Sequence, residues 1–298
     1  MANLIKYFLS IALFFIIPFI TFGQLDEVRL INDLRILSHD SMQGRKTGTD
    51  GNEKAREFIL KRIREITLNP LESDFEQEFT FSTREGERKG TNLLGHIKGT
   101  SPSNSYFVIS AHYDHIGIRS GEIYNGADDN ASGVAALLAI ADFFLKNPPQ
   151  HSLIFAFFDA EESGLQGAKA FVTTNSRSIT LNVNLDMISR NDNNEIYVAG
   201  TYQNPGLRVL IQKYLPQNNR RNVLFGHDTP GSGGHDWSNS SDHGPFNKAG
   251  IPFLYFGVED HQDYHKPGDD FEKIDINFYS SVVEMLILVI NSLDKELK

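Results

Sequence analysis

Short apolar segments alternate with helical patterns through the middle of this 298-residue chain. Hydrophobic runs of strand length lie at 107–111, 153–158 and 181–185, and apolar residues at helical spacing lie between them, at 131–145 and 165–173. Strands joined by crossover helices pair side by side and run parallel in one sheet. The sequence therefore predicts an α/β fold with a mixed, centrally parallel β-sheet flanked by helices, in a three-layer α/β/α arrangement.

The segment before this region predicts two helices and an antiparallel edge. Helical spacing is present at 27–37 and 51–66, and Asp50 is placed to cap the second helix. Residues 75–98 alternate between apolar and polar and are broken by a turn at 84–86. This pattern predicts a pair of strands at one edge of the sheet.

The segment after it predicts two strands, two helices and a loop. The strands are expected at 196–199 and 253–256, and the helices at 206–215 and 277–297. The glycine-rich stretch 226–241 is typical of an exposed loop. Such a loop either borders a functional site or serves only as a connection, and the sequence leaves both open.

The N-terminus carries a strongly apolar segment. One lysine precedes an apolar run at 7–22, and Gly23 is a small residue of the kind a signal peptidase accepts. The run is short for a membrane-spanning helix and contains Pro18, although a retained membrane anchor is the alternative. We expect 1–23 to be a signal peptide and 24–298 a single domain, exported to the periplasm or the cell exterior without a membrane after cleavage.

Composition limits the kinds of ligand this chain can bind. It has no cysteine, so any bound metal must be held by histidine and carboxylate. Its net charge is −10, and no dense lysine and arginine cluster offers a surface for phosphates. Nucleic acid is therefore excluded as an expected partner.

Potential metal ligands follow the apolar runs of the predicted sheet. His112 and Asp114 follow the first run, Glu161 and Glu162 follow the second, and Asp186 follows the third. Ligands of open α/β sheets collect beyond the carboxyl ends of the strands. Because these ends meet at one rim, we expect the side chains to lie close together.

Two later groups add to this set, one around Asp129 before a predicted helix and one at Tyr264-His265 after the last strand. Each group alone has an ordinary explanation as a surface hydrogen bond or a helix cap. Together, histidine and carboxylate without thiolate favour zinc or a similar divalent ion at an open catalytic site. Two ions need a shared anionic ligand, and Asp129 is placed to bridge them. Because Glu161 and Glu162 are adjacent, one can ligate a metal ion while the other acts as the base.

An ordered set of motifs carries a resemblance to a known family. The segments are A-H-Y-D-H-I-G at 111–117, N-G-A-D-D-N-A-S-G at 125–133, F-F-D-A-E-E-S-G-L at 157–165, N-L-D-M-I at 184–188 and D-Y-H-K-P-G-D-D at 263–270. Together they resemble peptidase family M28, in its short bacterial form without a protease-associated domain. Residues 41–45 and 47–49 are similar to the lead-in of bacterial members. The resemblance implies the zinc-exopeptidase, phosphorylase/hydrolase-like fold.

The resemblance also implies a ligand set for two Zn2+ ions per chain. His112 and Asp186 would hold one zinc ion, Glu162 and His265 would hold the other, and Asp129 would bridge them. The ions would activate water for attack on a peptide carbonyl.

Catalytic roles follow from the same resemblance. Glu161 would be the general base, and Tyr264 would donate a hydrogen bond to the oxyanion. Asp114 would orient His112 from behind, and Asp269 would do the same for the other metal-binding histidine. The remaining histidines are expected to have no metal: His243 a structural role, and His115, His227, His235 and His261 positions in loops.

These residues predict a zinc-dependent aminopeptidase, in which a metal-bound hydroxide and Glu161 hydrolyse the N-terminal peptide bond of peptides with a free N-terminus. One alternative is a glutaminyl cyclase, a single-zinc acyltransferase on the same scaffold. A second is a noncatalytic binding module that keeps the peptidase fold, whose signature would be lost ligands. Side-chain preference and oligomeric state are left open.

Overall fold

A computed structural model describes residues 25–84, 86–101, 105–215 and 222–297. The predicted signal peptide at 1–23 lies outside the described residues.

The described part of the chain forms one large sheet, one small hairpin and a set of helices. The strands are β1 (Asn69–Pro70), β2 (Glu76–Thr83), β3 (Gly86–Ile97), β4 (Ser105–His112), β5 (Gly117–Arg119), β6 (Glu122–Tyr124), β7 (Ser152–Phe158), β8 (Ser178–Leu185), β9 (Ile196–Ala199), β10 (Val223–Phe225) and β11 (Phe253–Gly257). The α-helices are α1 (Glu27–Leu37), α2 (Asp50–Glu65), α3 (Gly133–Lys146), α4 (Gln166–Thr174), α5 (Pro205–Tyr214), α6 (His243–Lys248) and α7 (Ile276–Glu296).

The large sheet is parallel in its centre and antiparallel towards its edges. Its order is β1-β3-β7-β4-β8-β11-β9-β10, with β2 pairing to β3. The neighbours β7, β4, β8 and β11 are parallel, whereas β3 runs antiparallel to β7 and β9 to β11. Helix α3 provides the crossover from β4 to β7, and α4 provides that from β7 to β8. The predicted mixed, centrally parallel sheet is confirmed, as is the strand pair at 75–98.

Alternate residues of the central strands build two cores, one on each face of the sheet. Phe107 and Ile109 of β4 belong to the larger core, which also contains residues of α1, α2, α3 and α7. Val108 between them belongs to the smaller core, with Phe171 of α4 and Phe246 of α6. Because successive side chains of a strand point to opposite faces, continuously apolar strands need cover on both sides. This confirms the predicted three layers.

The start of α2 and several short elements differ from the sequence expectation. Thr49 has extended backbone and its hydroxyl accepts the Asn52 N–H, so Thr49 is the cap and Asp50 is the first helical residue. The prediction of Asp50 as the cap is therefore wrong by one residue. The elements β1, β5, β6, β10 and α6 are too short to give a periodic signal in the sequence.

The turn before α3 depends on a glycine. Gly126 has φ +56°, and a Cβ at this position would lie 2.0 Å from the carbonyl oxygen of Asp129 and 2.5 Å from the ring of His115. Only glycine allows both the left-handed backbone and this close approach. The turn therefore holds Asp129 and His115 close together.

We predict that the buried ion pair between α1 and α2 stabilises the N-terminal layer. Arg62 Nε lies 2.8 and 3.0 Å from the two carboxylate oxygens of Asp33, and both side chains are buried. Asp33→Ala would remove the buried carboxylate that pairs with Arg62 Nε and leave only the half-exposed Glu65 on Nη1. This change should lower the free energy of unfolding by about 3–5 kcal/mol in urea denaturation. The double variant Asp33→Leu, Arg62→Met should recover most of that loss.

Lys61→Met provides the matched control on the same helix. Lys61 makes an exposed pair with Glu65 at 3.9 Å, so its loss should change stability by less than about 0.5 kcal/mol. An Asp33→Ala variant as stable as this control would contradict the assigned role of the buried pair.

Candidate metal centre

The predicted site residues meet at the carboxyl ends of the parallel strands. His112 is the last residue of β4, Asp186 follows β8, and the turn after β7 carries Glu161 and Glu162. They face a cavity of about 380 Å³. Its lining includes His112, Asp129, Glu161, Glu162, Asp186, Tyr264 and His265, together with Leu165, Met187, Trp237, Tyr255, Val258 and Asp260.

The carboxylate of Asp129 lies between two histidines that are far apart in the sequence. Its Oδ1 is 3.4 Å from His112 Nε2, and its Oδ2 is 3.1 Å from His265 Nε2. Asp186 Oδ1 lies 3.3 Å from the same nitrogen of His112, and Glu162 Oε1 lies 3.5 Å from that of His265. The structure thus brings together all five predicted ligands, with Asp129 in the shared position.

The donor atoms fit a zinc centre in chemistry and spacing. His112, Glu161 and Asp186 each offer one donor atom within 4.8 Å of the others, and so do His115, Asp129 and Glu162. Nitrogen and oxygen donors without thiolate match zinc at a catalytic site. Oε1 of Glu162 is buried between two histidine nitrogens, 2.7 Å from His115 Nδ1 and 3.5 Å from His265 Nε2.

His115 belongs to this group, although sequence reasoning expected a loop residue without metal. It is buried, and its Nδ1 lies 2.7 Å from Glu162 Oε1 and 3.7 Å from Asp129 Oδ2. The available signal was its place in the same motif as His112, three residues further on. Its position in a loop close to the rim agrees with the sequence expectation, and its 2.7 Å contact with Glu162 is one that the sequence did not predict.

The two adjacent glutamates have opposite electrostatic environments. Burial raises the pKa of Glu161 well above its usual range, and the carboxylates of Asp242 and Asp186 raise it further while His112 opposes them. Burial also acts to raise the pKa of Glu162, but His115, His265 and His112 bring it down to about 2. Glu162 therefore has the charge expected of a ligand, and Glu161 the proton affinity expected of a base.

Tyr264 presents a protonated hydroxyl at the cavity. Burial, and the negative charges of Asp129 and Asp186, raise the pKa of its phenol. Its ring is stacked on His265, with centroids 3.9 Å apart. Tyr264 can therefore donate a hydrogen bond into the cavity beside the predicted ligands.

Asp114 supports the site mainly through the turn after β7. Its carboxylate accepts the backbone N–H groups of Glu161 and Glu162 at 2.9 and 3.3 Å. His112 Nδ1 lies 3.1 Å from the Asp114 backbone carbonyl and 3.8 Å from its carboxylate. The backbone of Asp114 is thus the nearer partner of His112, and its side chain fixes the two glutamates.

Asp269 has a different contact from the one expected. Its carboxylate accepts the backbone N–H groups of Asp128 and Asp129 at 3.0 to 3.1 Å, and no contact with His265 is among those described. Burial and Asp128 raise the pKa of Asp269 to about 6. Asp269 therefore holds the turn that presents Asp129.

Arg45 is a supporting residue that sequence reasoning missed. Its fully buried guanidinium donates to the backbone carbonyls of Tyr113, Leu37, Asn125 and Gly126. Burial lowers its pKa to about 10, against the opposing effect of Asp129 and other carboxylates. Arg45 thus ties the segment after β4 to the turn before α3. The only signal was its place in the lead-in segment at 41–45.

The glycine-rich loop borders the site. Trp237, Asn239 and Ser240 of this loop line the cavity. The Trp237 indole is stacked on His227 with ring centroids 3.7 Å apart and an interplanar angle of 7°. The sequence left open whether 226–241 borders a functional site or is only a connection. The structure favours a loop that borders the site.

Three further histidines have contacts near the site. His243 Nε2 is 2.7 Å from the Trp237 carbonyl, and burial lowers the pKa of His243 to about 4. His261 Nε2 is 3.3 Å from Asp128, and the His235 ring lies 6.4 Å from that of His227. These contacts agree with supporting roles.

A family profile described as Peptidase family M28 matches residues 92–290, the larger part of the chain. The chain belongs to peptidase family M28. It is therefore a hydrolase of a zinc-dependent metallopeptidase family, and the predicted family membership is confirmed.

Solved structures with the same fold include both aminopeptidases and cyclases. A zinc aminopeptidase from Bacillus subtilis has a TM-score of 0.73 at 16% identity, covering 90% of this chain and 95% of its own. A leucine aminopeptidase precursor from Bacteroides thetaiotaomicron has a TM-score of 0.72 at 18% identity, covering 91% of this chain and 98% of its own. The glutaminyl cyclase of Porphyromonas gingivalis has a TM-score of 0.75 at 18% identity, covering 92% of this chain and 99% of its own. At these identities the likeness shows the fold alone.

Curated relatives correct the predicted localisation. Vacuolar membrane proteases of Eremothecium gossypii and Schizosaccharomyces pombe match at 30% and 33% identity over 152 and 145 residues, each covering 45% of this M28 chain. The chain covers only 14% and 17% of their lengths. These relatives are named as membrane proteins, so the prediction of a freely exported, periplasmic or extracellular protein without a membrane is wrong.

The physical reason for this error is that one apolar segment can be either a cleaved signal peptide or a retained membrane anchor. A cleaved signal and a retained anchor are both uncharged runs of similar length, and 7–22 lies outside the described residues. Helix α7 is also long and apolar enough to cross a membrane, although 61% of its most apolar window is buried in the fold. Length and hydropathy therefore do not decide between these states.

We predict that Arg45 is a main determinant of the stability of this M28 site. Arg45→Met would leave several buried carbonyls unpaired, each at a cost of about 1–3 kcal/mol, so the free energy of unfolding should fall by at least about 3 kcal/mol. Urea denaturation of the metal-free protein measures this. Arg56→Met, a partly exposed arginine paired with Glu76, should cost less than about 1 kcal/mol, and equal effects of the two variants would contradict the account.

Proposed function

We propose that this M28 peptidase is an aminopeptidase that binds two zinc ions. The observation that carries the proposal is the Asp129 carboxylate, which faces His112 with one oxygen and His265 with the other. In this proposal Asp186 completes the site of His112, and Glu162 completes that of His265. When bound, the zinc ions would polarise the substrate carbonyl and make water a better nucleophile.

The cavity's charge supports recognition of a free amine. Among the described residues that line it, none is lysine or arginine, and Asp260 adds a carboxylate that the proposal assigns neither to metal binding nor to proton transfer. A protonated N-terminus is the part of a peptide that such a surface binds best. An apolar wall of Leu165 and Val258 can accept the first side chain. The substrates in this proposal are peptides with a free N-terminus.

The chain's own residues would move the proton and stabilise the developing charge. Glu161 would accept a proton from the attacking water and return it to the leaving amine. Tyr264 would donate its hydroxyl hydrogen to the carbonyl oxygen as that oxygen becomes negative. Asp114, which binds the backbone N–H of Glu161, would hold the base in place.

We predict that Glu161→Gln lowers kcat by about 10²–10⁴-fold, because the amide cannot accept a proton. The measurement is product release from a panel of aminoacyl-chromophore substrates, with and without zinc and chelator. Zinc content, measured by metal analysis, should remain at the wild-type value. Glu259→Gln, an exposed acid outside the cavity lining, is the control and should retain activity. A Glu161→Gln variant as active as this control would contradict the proposed base.

We further predict that acetylation of the substrate N-terminus abolishes cleavage, because it removes the positive charge that the cavity's carboxylates would bind. The ratio of kcat/KM for free and acetylated forms of the same peptide tests this. Equal rates would indicate an endopeptidase instead.

Glutaminyl cyclisation is the second candidate, favoured by the cyclase neighbour of Porphyromonas gingivalis. One fold supports both reactions, so the chemistry must be assayed directly. Peptides with N-terminal glutamine, followed by mass spectrometry, distinguish loss of ammonia from loss of the first residue. If neither product forms and the protein binds no zinc, a noncatalytic binding module would be favoured.

A further inference from the structure

The turn that carries the proposed base is held by its backbone amides. Ala160, directly before Glu161, has φ +58°. L side chains rarely adopt this left-handed conformation, so surrounding contacts are needed to keep the turn in it. The N–H groups of Ala160, Glu161 and Glu162 all donate to buried carboxylates, the first to Asp159 and the other two to Asp114. Two acids therefore fix three consecutive amides.

Thr47 lies between these two acids. Its hydroxyl oxygen is 2.9 Å from Asp159 Oδ1 and 3.3 Å from Asp114 Oδ2, and each of the three residues is at most 3% exposed. An ionised carboxylate only accepts hydrogen bonds, and two of them side by side repel each other, so a donor between them is needed to keep them together. The hydroxyl of Thr47 is that donor. Thr47 thus links the two groups that hold the turn.

Asp159 is also held by other parts of the N-terminal half. Its carboxylate accepts Asn52 Nδ2 at 3.0 Å and the backbone N–H of Thr91 at 2.9 Å. Asn52 lies in the first turn of α2, and Thr91 lies in β3. The contacts of Thr47 and Asn52 with Asp159 span 112 and 107 positions of the sequence. The lead-in segment 47–49, which contains none of the proposed ligands or catalytic residues, thereby reaches the site.

We propose that Thr47 is a positioning residue, which holds the turn 160–162 through Asp159 and Asp114 and so sets the position of the Glu161 carboxylate. The inference rests on the proposed function of Glu161 as the base. Thr47 is not among the described residues that line the cavity, so it acts on the reaction only through others. A base must lie within hydrogen-bond reach of the proton it accepts, and a shift of about 1 Å can lower a rate by about 100-fold. Loss of the Thr47 hydroxyl therefore slows catalysis although Glu161 is intact.

The test compares three variants of the full chain. Thr47→Val removes the hydroxyl at nearly the same side-chain volume, and Thr47→Ser keeps the hydroxyl. Thr201→Val is the matched control, because Thr201 is also buried and its hydroxyl lies 3.4 Å from the carboxylate of Asp228, outside the cavity lining. Thermal melting establishes that each variant is folded. If Thr47→Val does not fold, Thr47→Cys, with a weaker donor, replaces it.

We expect Thr47→Val to lower the kcat of the zinc-saturated chain by about 10–100-fold, with Thr47→Ser and Thr201→Val within about threefold of the wild type. In a Glu161→Gln background, Thr47→Val should have no further effect, because a residue that acts through the base has nothing left to position. Two effects that multiply, or a Thr47→Val variant as active as the control, overturn the inference.

Hydrogen exchange gives a readout that does not depend on activity. With zinc removed, the amides of residues 160–162 should exchange at least about tenfold faster in Thr47→Val than in the wild type, because their acceptors are no longer held together. Mass spectrometry of peptides that cover these residues measures this, and Thr47→Ser should match the wild type. Unchanged exchange in Thr47→Val also overturns the inference.

These measurements separate failure of this inference from failure of the proposed function. If the wild-type chain cleaves no peptide, or Glu161→Gln cleaves as fast as the wild type, the proposed function of Glu161 fails, and faster exchange in Thr47→Val still assigns Thr47 to the turn. If Glu161→Gln is slow and Thr47→Val behaves as Thr201→Val does, the proposed base stands and the inference falls.

Discussion

Repulsion among buried carboxylates is the constraint on which the site depends. Asp129, Glu162 and Asp186 converge within hydrogen-bonding range of His112 and His265, with Glu161 beside them. Buried like charges are unfavourable unless cations compensate them. A histidine that binds a metal ion is neutral, so in the two-zinc proposal the divalent ions would supply this compensation. The arrangement is stable only if the surrounding backbone prevents the acids from moving apart.

The backbone around the site is held by buried polar side chains of long sequence separation. Arg45 binds carbonyls of the segment after β4 and of the turn before α3. Asp269 binds the amides that present Asp129, and Asp114 binds those that present Glu161. Each contact joins segments that the central parallel sheet brings to one rim. Preorganisation of this kind keeps donor atoms within a fraction of an ångström of a productive geometry.

The parallel strands and the convergence of the candidate ligands were predictable because they have local signals. Apolar runs mark the parallel strands, and the residues after them form recognisable motifs such as that of His112. Arg45 and Asp269 were not assigned correctly, since their partners lie far away in sequence and leave no periodic trace. The contacts of His115 were not predicted, because Glu162 and the turn at Gly126 lie far from it in the sequence.

The most direct test of the two-metal account is anomalous diffraction at the zinc absorption edge from crystals of the zinc-loaded chain. The account predicts two peaks roughly 3.5–4 Å apart, one beside His112 and Asp186 and one beside Glu162 and His265, with Asp129 between them. A single peak, at full occupancy in excess zinc, would contradict the two-zinc centre and favour the single-zinc chemistry of a cyclase.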